Sequence, residues 1–125
     1  MELLLDSHSL LWAVFEPKKL SLEAKQAIAL PENIVYVSIV SLWEIGIKQN
    51  IGRLSIPARF FDSLPLAGFE ILELKVSHIK TYKQLPLHHR DPFDRMLVAQ
   101  AMTEDLVLVT RDSKIQLYEV PILVA

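Results

Sequence analysis

The chain has 125 residues and a net charge of −2, and 51% of its residues are hydrophobic against 22% charged. Such a chain is expected to form one globular domain over residues 1–125, with apolar surface left for a partner or a second copy, and its acidic balance argues against strong non-specific binding to nucleic acid. The absence of cysteine excludes disulfides, thiolate catalysis and cysteine-ligated zinc, and it is typical of a protein of the reducing cytoplasm.

Short apolar runs alternate with helical patterns along the whole chain. The elements predicted in chain order are a strand at 3–5, helices at 10–15 and 21–30, a strand at 34–37, helices at 38–50 and 59–64, a strand at 71–74, helices at 77–84 and 91–104, and strands at 106–110 and 122–124. Ser21, Ser38, Ser77 and Asp91 are the expected helix caps. The start of the chain lacks the basic residues of a signal peptide, and no apolar run approaches the ~20 residues of a membrane span.

This alternation predicts an α/β fold with a parallel sheet and helices on both of its faces. The strand runs are apolar throughout, which agrees with strands that are buried on both sides. In such a sheet, ligands bind beyond the carboxyl ends of the strands, near the point where the strand order reverses.

Four acidic residues lie where that edge of the sheet is expected. Asp6 and Asp112 follow strands, and Glu44 and Asp94 are placed in the first turns of helices that begin at the same edge. Carboxylates that converge need a proton or a cation to offset their charge, and oxygen ligands without cysteine favour Mg²⁺ or Mn²⁺. An ion held there would activate water for hydrolysis of a phosphodiester, without a nucleophilic serine.

Each acid also has a purely structural interpretation. Asp6 and Asp91 are in positions to cap helices, Asp112 to form a turn, and Glu44 to pair with Lys48 one helical turn later. For Asp91, which precedes Pro92, the cap is the favoured interpretation. For the other acids the two interpretations are evenly balanced one by one, and only their joint occurrence favours a metal site.

The remaining polar and aromatic residues give weaker signals. His88 and His89 are expected to point in opposite directions, which disfavours a shared metal, and His78 is expected on a helix surface. The aromatic residues at helical spacing, Trp12 among them, are expected in the core rather than as stacking platforms for bases. Candidate contacts to RNA phosphates, with ordinary surface charge as the alternative, are Lys48, Arg90, Arg95 and Arg111.

Four segments together resemble the PIN-domain ribonucleases, and specifically the VapC-type toxins of type II toxin–antitoxin systems. They occur in the order and spacing of that family and extend over nearly the whole chain. The segments are residues 4–8 (LLDSH), 38–45 (SIVSLWEI), 89–101 (HRDPFDRMLVAQA) and 108–112 (LVTRD).

The resemblance implies a three-layer α/β/α fold with a five-stranded parallel sheet of order 3-2-1-4-5, and an endoribonuclease that depends on Mg²⁺ or Mn²⁺ and cuts structured RNA such as tRNA or rRNA. Asp6, Glu44, Asp94 and Asp112 would be the catalytic and metal-binding acids, with Ser7 and Thr110 as supporting residues. It also implies a homodimer in the cytoplasm and a cognate antitoxin that places a basic side chain in the acidic pocket. Operator DNA would be contacted only through that antitoxin.

Two other functions stay open at this point. The same fold can serve as a catalytically silent module that binds RNA or a partner, or as a structure-specific DNA nuclease. A phosphoacceptor receiver domain is disfavoured, because such a domain has two adjacent acids after its first strand and here Asp6 stands alone.

Overall fold

The computed structural model describes all residues, 1–125, and contains five strands, six α-helices and two short 3₁₀ turns. The strands are β1 (Glu2–Leu5), β2 (Ile34–Ser38), β3 (Glu70–Leu72), β4 (Val107–Thr110) and β5 (Ile122–Val124). The helices are α1 (Ser7–Phe15), α2 (Leu22–Ala29), α3 (Ile39–Asn50), α4 (Phe60–Leu66), α5 (Val76–Tyr82) and α6 (Pro92–Glu104). No helix combines the length and the apolar character that crossing a bilayer requires.

The strands form one parallel sheet in the order β3-β2-β1-β4-β5, which confirms the predicted architecture. β1 lies at the centre, where Leu4 pairs with Tyr36 of β2 on one side and with Leu108 of β4 on the other. From β1 the chain adds β2 and β3 on one side of the sheet and then returns to add β4 and β5 on the other side, so the strand order reverses between β1 and β4. The residues that follow these two strands therefore border the crevice in which sheets of this kind bind ligands.

Side chains of β1 alternate between two hydrophobic clusters, one on each face of the sheet. Leu3 and Leu5 join the cluster that contains residues of α1, α2 and α4, whereas Leu4 joins the cluster built around α6. All three leucines are fully buried, and such burial stabilises the fold by about 1.5–3 kcal/mol per side chain. This rigid centre fixes the position of the residue that follows, Asp6.

Side-chain oxygens cap the N-termini of four of the helices. Asp6, Ser21, Ser38 and Asp91 cap α1, α2, α3 and α6, and each accepts hydrogen bonds from backbone N–H groups of the first turn. The last three caps were predicted at these positions. The capping interpretation of Asp6 is also confirmed, because its Oδ1 accepts from the Ser9 N–H at 2.8 Å.

Two predictions around α5 were wrong. The helix begins at Val76, with Lys75 rather than Ser77 at its N-cap, and the Lys75 N–H donates to His78 Nδ1 at 3.0 Å. His78 is completely buried rather than on the surface, because α5 packs against α6. The His78 Nε2 lies 2.9 Å from Glu104 Oε2. The preceding strand ends at Leu72, where its pairing with β2 ends.

Candidate metal centre

One cavity of about 430 Å³ lies at the carboxyl edge of the sheet, and carboxylates dominate its lining. The four acids predicted to converge are all among the lining residues, although they come from four distant segments. A fifth carboxylate joins them from the cap of α6. The five are Asp6, Glu44, Asp91, Asp94 and Asp112.

Asp6 uses its two oxygens for different purposes. Oδ1 caps α1, while Oδ2 accepts a hydrogen bond of 2.6 Å from the Thr110 hydroxyl at the end of β4. The side chain is almost inaccessible, since only 4% of the residue is exposed. Both donors belong to rigid elements, so the carboxylate is fixed in one orientation.

Glu44 lies one turn deeper in its helix than the sequence indicated, because α3 begins at Ile39 and Glu44 falls in the second turn. The Ser7 hydroxyl donates to Glu44 Oε1 at 2.5 Å, and Lys48 Nζ lies 3.5 Å from Oε2. The residue is 8% exposed. Ser7 and Thr110, which were predicted to support the site, thus each hold one acid by a direct hydrogen bond.

Asp94 has a raised pKa, with burial as the first cause and neighbouring negative charge as the second. Burial raises the pKa of its carboxyl to about 7, the nearby charges of Asp91, Asp6 and Glu44 add to the increase, and His89 partly offsets it. Its backbone N–H donates to the capping oxygen of Asp91, which holds it in the first turn of α6. At neutral pH this carboxyl is therefore poised to hold either a proton or a cation.

Asp112 is stabilised in its ionised form. Burial raises the pKa of its carboxyl, but the N–H groups of Ile115 and Lys114, which donate to Oδ1 at 3.0 and 2.8 Å, together with His89 lower it below the ordinary value. Its own N–H donates to the Thr110 hydroxyl at 3.0 Å. The expected turn and the convergence on the cavity are thus both present.

His89 belongs to the site, although sequence reasoning gave it little weight. Its Nε2 lies 3.0 Å from Asp94 Oδ2 and 3.3 Å from Asp112 Oδ2, within hydrogen-bonding distance of both carboxylates. Its Nδ1 accepts from the Asp91 N–H at 3.3 Å, so the hydrogen of a neutral ring is on Nε2, facing the acids. His88 turns away and packs against Tyr118, as the expected opposite orientations require.

Three of the four basic candidates lie near the cavity. Lys48 and Arg111 line it directly, and Arg90 lines an adjoining groove of about 450 Å³. Arg53, which no sequence signal singled out, lines that same groove. Positive charge is therefore present beside the acids even though the whole chain is acidic.

Arg95 has a structural place instead. It is 9% exposed, and its Nη1 donates to the carbonyl oxygens of Pro86 and His89 at 3.2 and 3.3 Å. The guanidinium also lies 4.9 Å from the centre of the Tyr82 ring. Nη1 thus ties the 83–91 loop to α6, so the expectation that Arg95 contacts RNA is corrected.

The donor set fits a hard divalent cation. The lining offers carboxylate oxygens and no sulfur, and donors of the protein orient Asp6, Glu44 and Asp112 while each carboxylate keeps free lone pairs. The raised pKa of Asp94 reflects first its burial and then the negative charge of Asp91, Asp6 and Glu44, which His89 only partly offsets. A bound cation would remove that imbalance.

A five-stranded parallel sheet of order 3-2-1-4-5 with carboxylates at its switch point is the architecture of a PIN domain, and the chain belongs to the PIN-domain family, whose model matches residues 3–122. Among curated proteins it is similar to Ribonuclease VapC22 of Mycobacterium tuberculosis. The two are 30% identical over 121 residues, which cover 94% of this chain and 92% of that protein. The family resemblance of the sequence is thereby confirmed.

Solved structures with the same fold include two toxin–antitoxin complexes. VapBC2 from Rickettsia felis, bound to a DNA fragment from the promoter, superposes with a TM-score of 0.75 at 15% identity and covers 98% of both chains. A toxin–antitoxin complex from Klebsiella pneumoniae gives a TM-score of 0.62 at 18% identity, over 97% of this chain and 95% of that one. FitAcB from Neisseria gonorrhoeae gives 0.69 at 18% identity, over 98% and 96%. At these identities the likeness shows the fold.

Proposed function

We propose that the chain is the toxin of a toxin–antitoxin pair and acts as an endoribonuclease that depends on Mg²⁺ or Mn²⁺ and hydrolyses phosphodiester bonds of structured RNA. The observation that carries the proposal is the meeting of four acids from four segments around one cavity of a PIN fold. RNA as the substrate class is supported by the similarity to Ribonuclease VapC22 over nearly the whole chain.

Asp6, Glu44 and Asp94 would hold the ion, and Asp112 would complete the site. When bound, a divalent ion of this kind polarises a phosphate oxygen and lowers the pKa of water. The protein's own task is to keep the acids in place: Thr110 holds Asp6, and Ser7 holds Glu44. Because both hydroxyls are buried and already hydrogen-bonded to the acids, the side chains of the site need little reorganisation when substrate binds.

The basic residues lie where an RNA backbone could pass across the acids. Arg111 lies at the cavity, and Lys48 lies both in the cavity and in the adjoining groove, where Arg53 and Arg90 continue the positive charge. Contacts of this kind position a phosphate backbone without reading its sequence. They would supply the local attraction that the net charge of −2 does not.

The partners proposed are a second copy of the chain and a cognate antitoxin. An apolar stripe runs along the exposed side of α3 and its C-cap at spacings of four residues, formed by Ile39, Trp43, Ile47 and Ile51, which are 38–63% exposed. A stripe of this kind favours a helix-mediated homodimer. An antitoxin partner is supported by the fold shared with chains from toxin–antitoxin complexes, and operator DNA would be bound through it rather than by this acidic chain.

Cleavage of total cellular RNA by the purified, antitoxin-free protein tests the proposal. We expect discrete cuts with Mg²⁺ or Mn²⁺ that disappear in EDTA and in the Glu44→Gln variant, with 5′-phosphate ends. Glu23→Gln is the matched control, since Glu23 is exposed on α2 and has no hydrogen-bonding or ionic partner. If the folded, metal-loaded protein binds RNA without cutting it, the chain is instead a binding module. Cuts in branched or nicked DNA but not in RNA would replace it with a DNA nuclease.

A further inference from the structure

Three side chains form a stacked group at the edge of the acidic cavity, which we call the aromatic rim: His8, Trp12 and Arg111. The Arg111 guanidinium carbon lies 4.5 Å from the centre of the Trp12 ring, and the His8 ring stacks on Trp12 with centroids 5.9 Å apart and planes inclined by 30°. All three residues line the acidic cavity, and Trp12 is its one hydrophobic lining residue. Expected in the core, Trp12 is only partly buried.

The aromatic rim is anchored on the side that faces the protein and is open on the side that faces solvent. Trp12 packs against the hydrophobic cluster beneath α1, and Arg111 is anchored by donating to the carbonyl oxygens of Ala125, at 2.9 Å, and of Lys19. No Asp or Glu side chain pairs with Arg111. His8 is exposed and borders both the acidic cavity and a neighbouring groove of about 450 Å³.

We propose that the aromatic rim binds an unpaired nucleobase next to the phosphate that is cleaved, an inference that rests on the proposed ribonuclease function. Single-stranded RNA is commonly recognised by stacking of its splayed bases on aromatic rings and on guanidinium planes. The rim offers both surfaces within one cluster, and His8 is two residues from Asp6 in the chain. A phosphate at the acids therefore brings its neighbouring base to His8 and Trp12.

A stacked base also explains how an acidic chain gains affinity for RNA. Stacking does not depend on net charge, and it tolerates any base because every base has a π-face. The rival occupant of this rim is an apolar side chain of a protein partner. Two features favour the base: the guanidinium over the same ring, and the location of all three side chains in the lining of the cavity that carries the acids.

Tryptophan fluorescence gives a direct readout, because the chain has only two tryptophans. In a Trp43→Phe, Glu44→Gln background, Trp12 is the only tryptophan and the RNA stays intact. Trp43 does not line the acidic cavity. We expect a short oligoadenylate RNA to quench Trp12, and an abasic ribose-phosphate oligomer of the same length to bind more weakly and quench little. His8→Ala should weaken oligoadenylate binding roughly ten-fold, whereas His8→Phe retains the ring and the affinity.

The outcomes separate this inference from the proposed function. Equal affinity for the abasic and the adenylate oligomers, or equal affinity of the His8→Ala and His8→Phe variants, would overturn the stacked base whether or not the protein cuts RNA. Quenching by oligoadenylate with no metal-dependent cleavage in the Glu44-containing protein would remove the nuclease and keep the base site. With a cleaved RNA in hand, His8→Ala should raise KM and change kcat little; a change in kcat alone would contradict a binding role.

Discussion

Replacing Asp94 with Asn should make the metal-free protein more stable at alkaline pH, although the same change should abolish cleavage. The Asp94 carboxyl is partly buried among other acids, so in the folded protein its pKa rises from 3.8 to about 7, whereas the unfolded chain restores the ordinary value. A raised folded pKa means that the carboxyl's contribution to stability is fully present below about pH 4. It is lost as the pH rises through 7.

The size of the effect follows from that shift. Each pKa unit corresponds to about 1.4 kcal/mol, so a shift of about three units sets an upper limit near 4 kcal/mol. Solvent reaches part of the side chain, and screening reduces the expected penalty to about 2 kcal/mol at pH 8. For a domain of this size that is a difference of roughly 8 °C in Tm. Asn has nearly the same shape and no charge, so the variant should escape the penalty.

Thermal and urea unfolding in EDTA at pH 4.5, 6 and 8 would measure it. The variant's advantage should grow with pH and should shrink or reverse when Mg²⁺ is added, because the cation then stabilises the wild-type carboxylate. Glu23→Gln, which removes an exposed charge, should show no such trend. A variant that is no more stable than the wild type at pH 8 in EDTA would refute the reasoning that burial and neighbouring negative charge penalise the ionised Asp94 carboxyl.

Three further changes test one support of the site, the buried contacts of the 83–91 loop and the proposed dimer contact. Thr110→Val should lower the free energy of unfolding by about 1 kcal/mol and weaken Mn²⁺ binding measured by calorimetry, because Asp6 loses its 2.6 Å donor; unchanged Mn²⁺ affinity would contradict this. Arg95→Lys should cost about 2 kcal/mol in urea unfolding, since an ammonium lacks the planar guanidinium that lies over the Tyr82 ring while Nη1 donates to the loop carbonyls. A neutral result would show that these buried contacts to the 83–91 loop contribute nothing. Trp43→Asp should convert a dimer to a monomer in light scattering, whereas an unchanged mass would exclude the α3 stripe as the dimer contact.

The residues that sequence reasoning placed well are those whose position follows from the ends of strands. Asp6 and Asp112 come after apolar runs that pack on both faces of the sheet, so parallel pairing alone brings them to one edge. The order of the strands came from the family resemblance rather than from their composition. Glu44 was recognisable because an acid inside an apolar helix requires an explanation.

The misplaced residues depend on contacts between segments far apart in sequence. Arg95 and His78 look like surface residues in any local pattern, and only the packing of α6 against the 83–91 loop and against α5 buries them. His89 lies in an irregular segment without periodicity. Its backbone N–H donates to the hydroxyl of Tyr118, which follows β4 in the chain, and this contact holds the loop where the ring reaches the acids. No feature of residues 83–91 alone encodes that contact.

The divided use of the Asp6 carboxylate has a consequence for how activity can be lost. Oδ1 caps α1 and so serves the fold, whereas the charge on the group would serve the proposed metal site. Asparagine can supply the first without the second, because an amide oxygen also serves as a helix cap. The Asp6→Asn protein should therefore fold, lack activity and still bind the proposed antitoxin. Alanine at the same position would remove the helix cap as well.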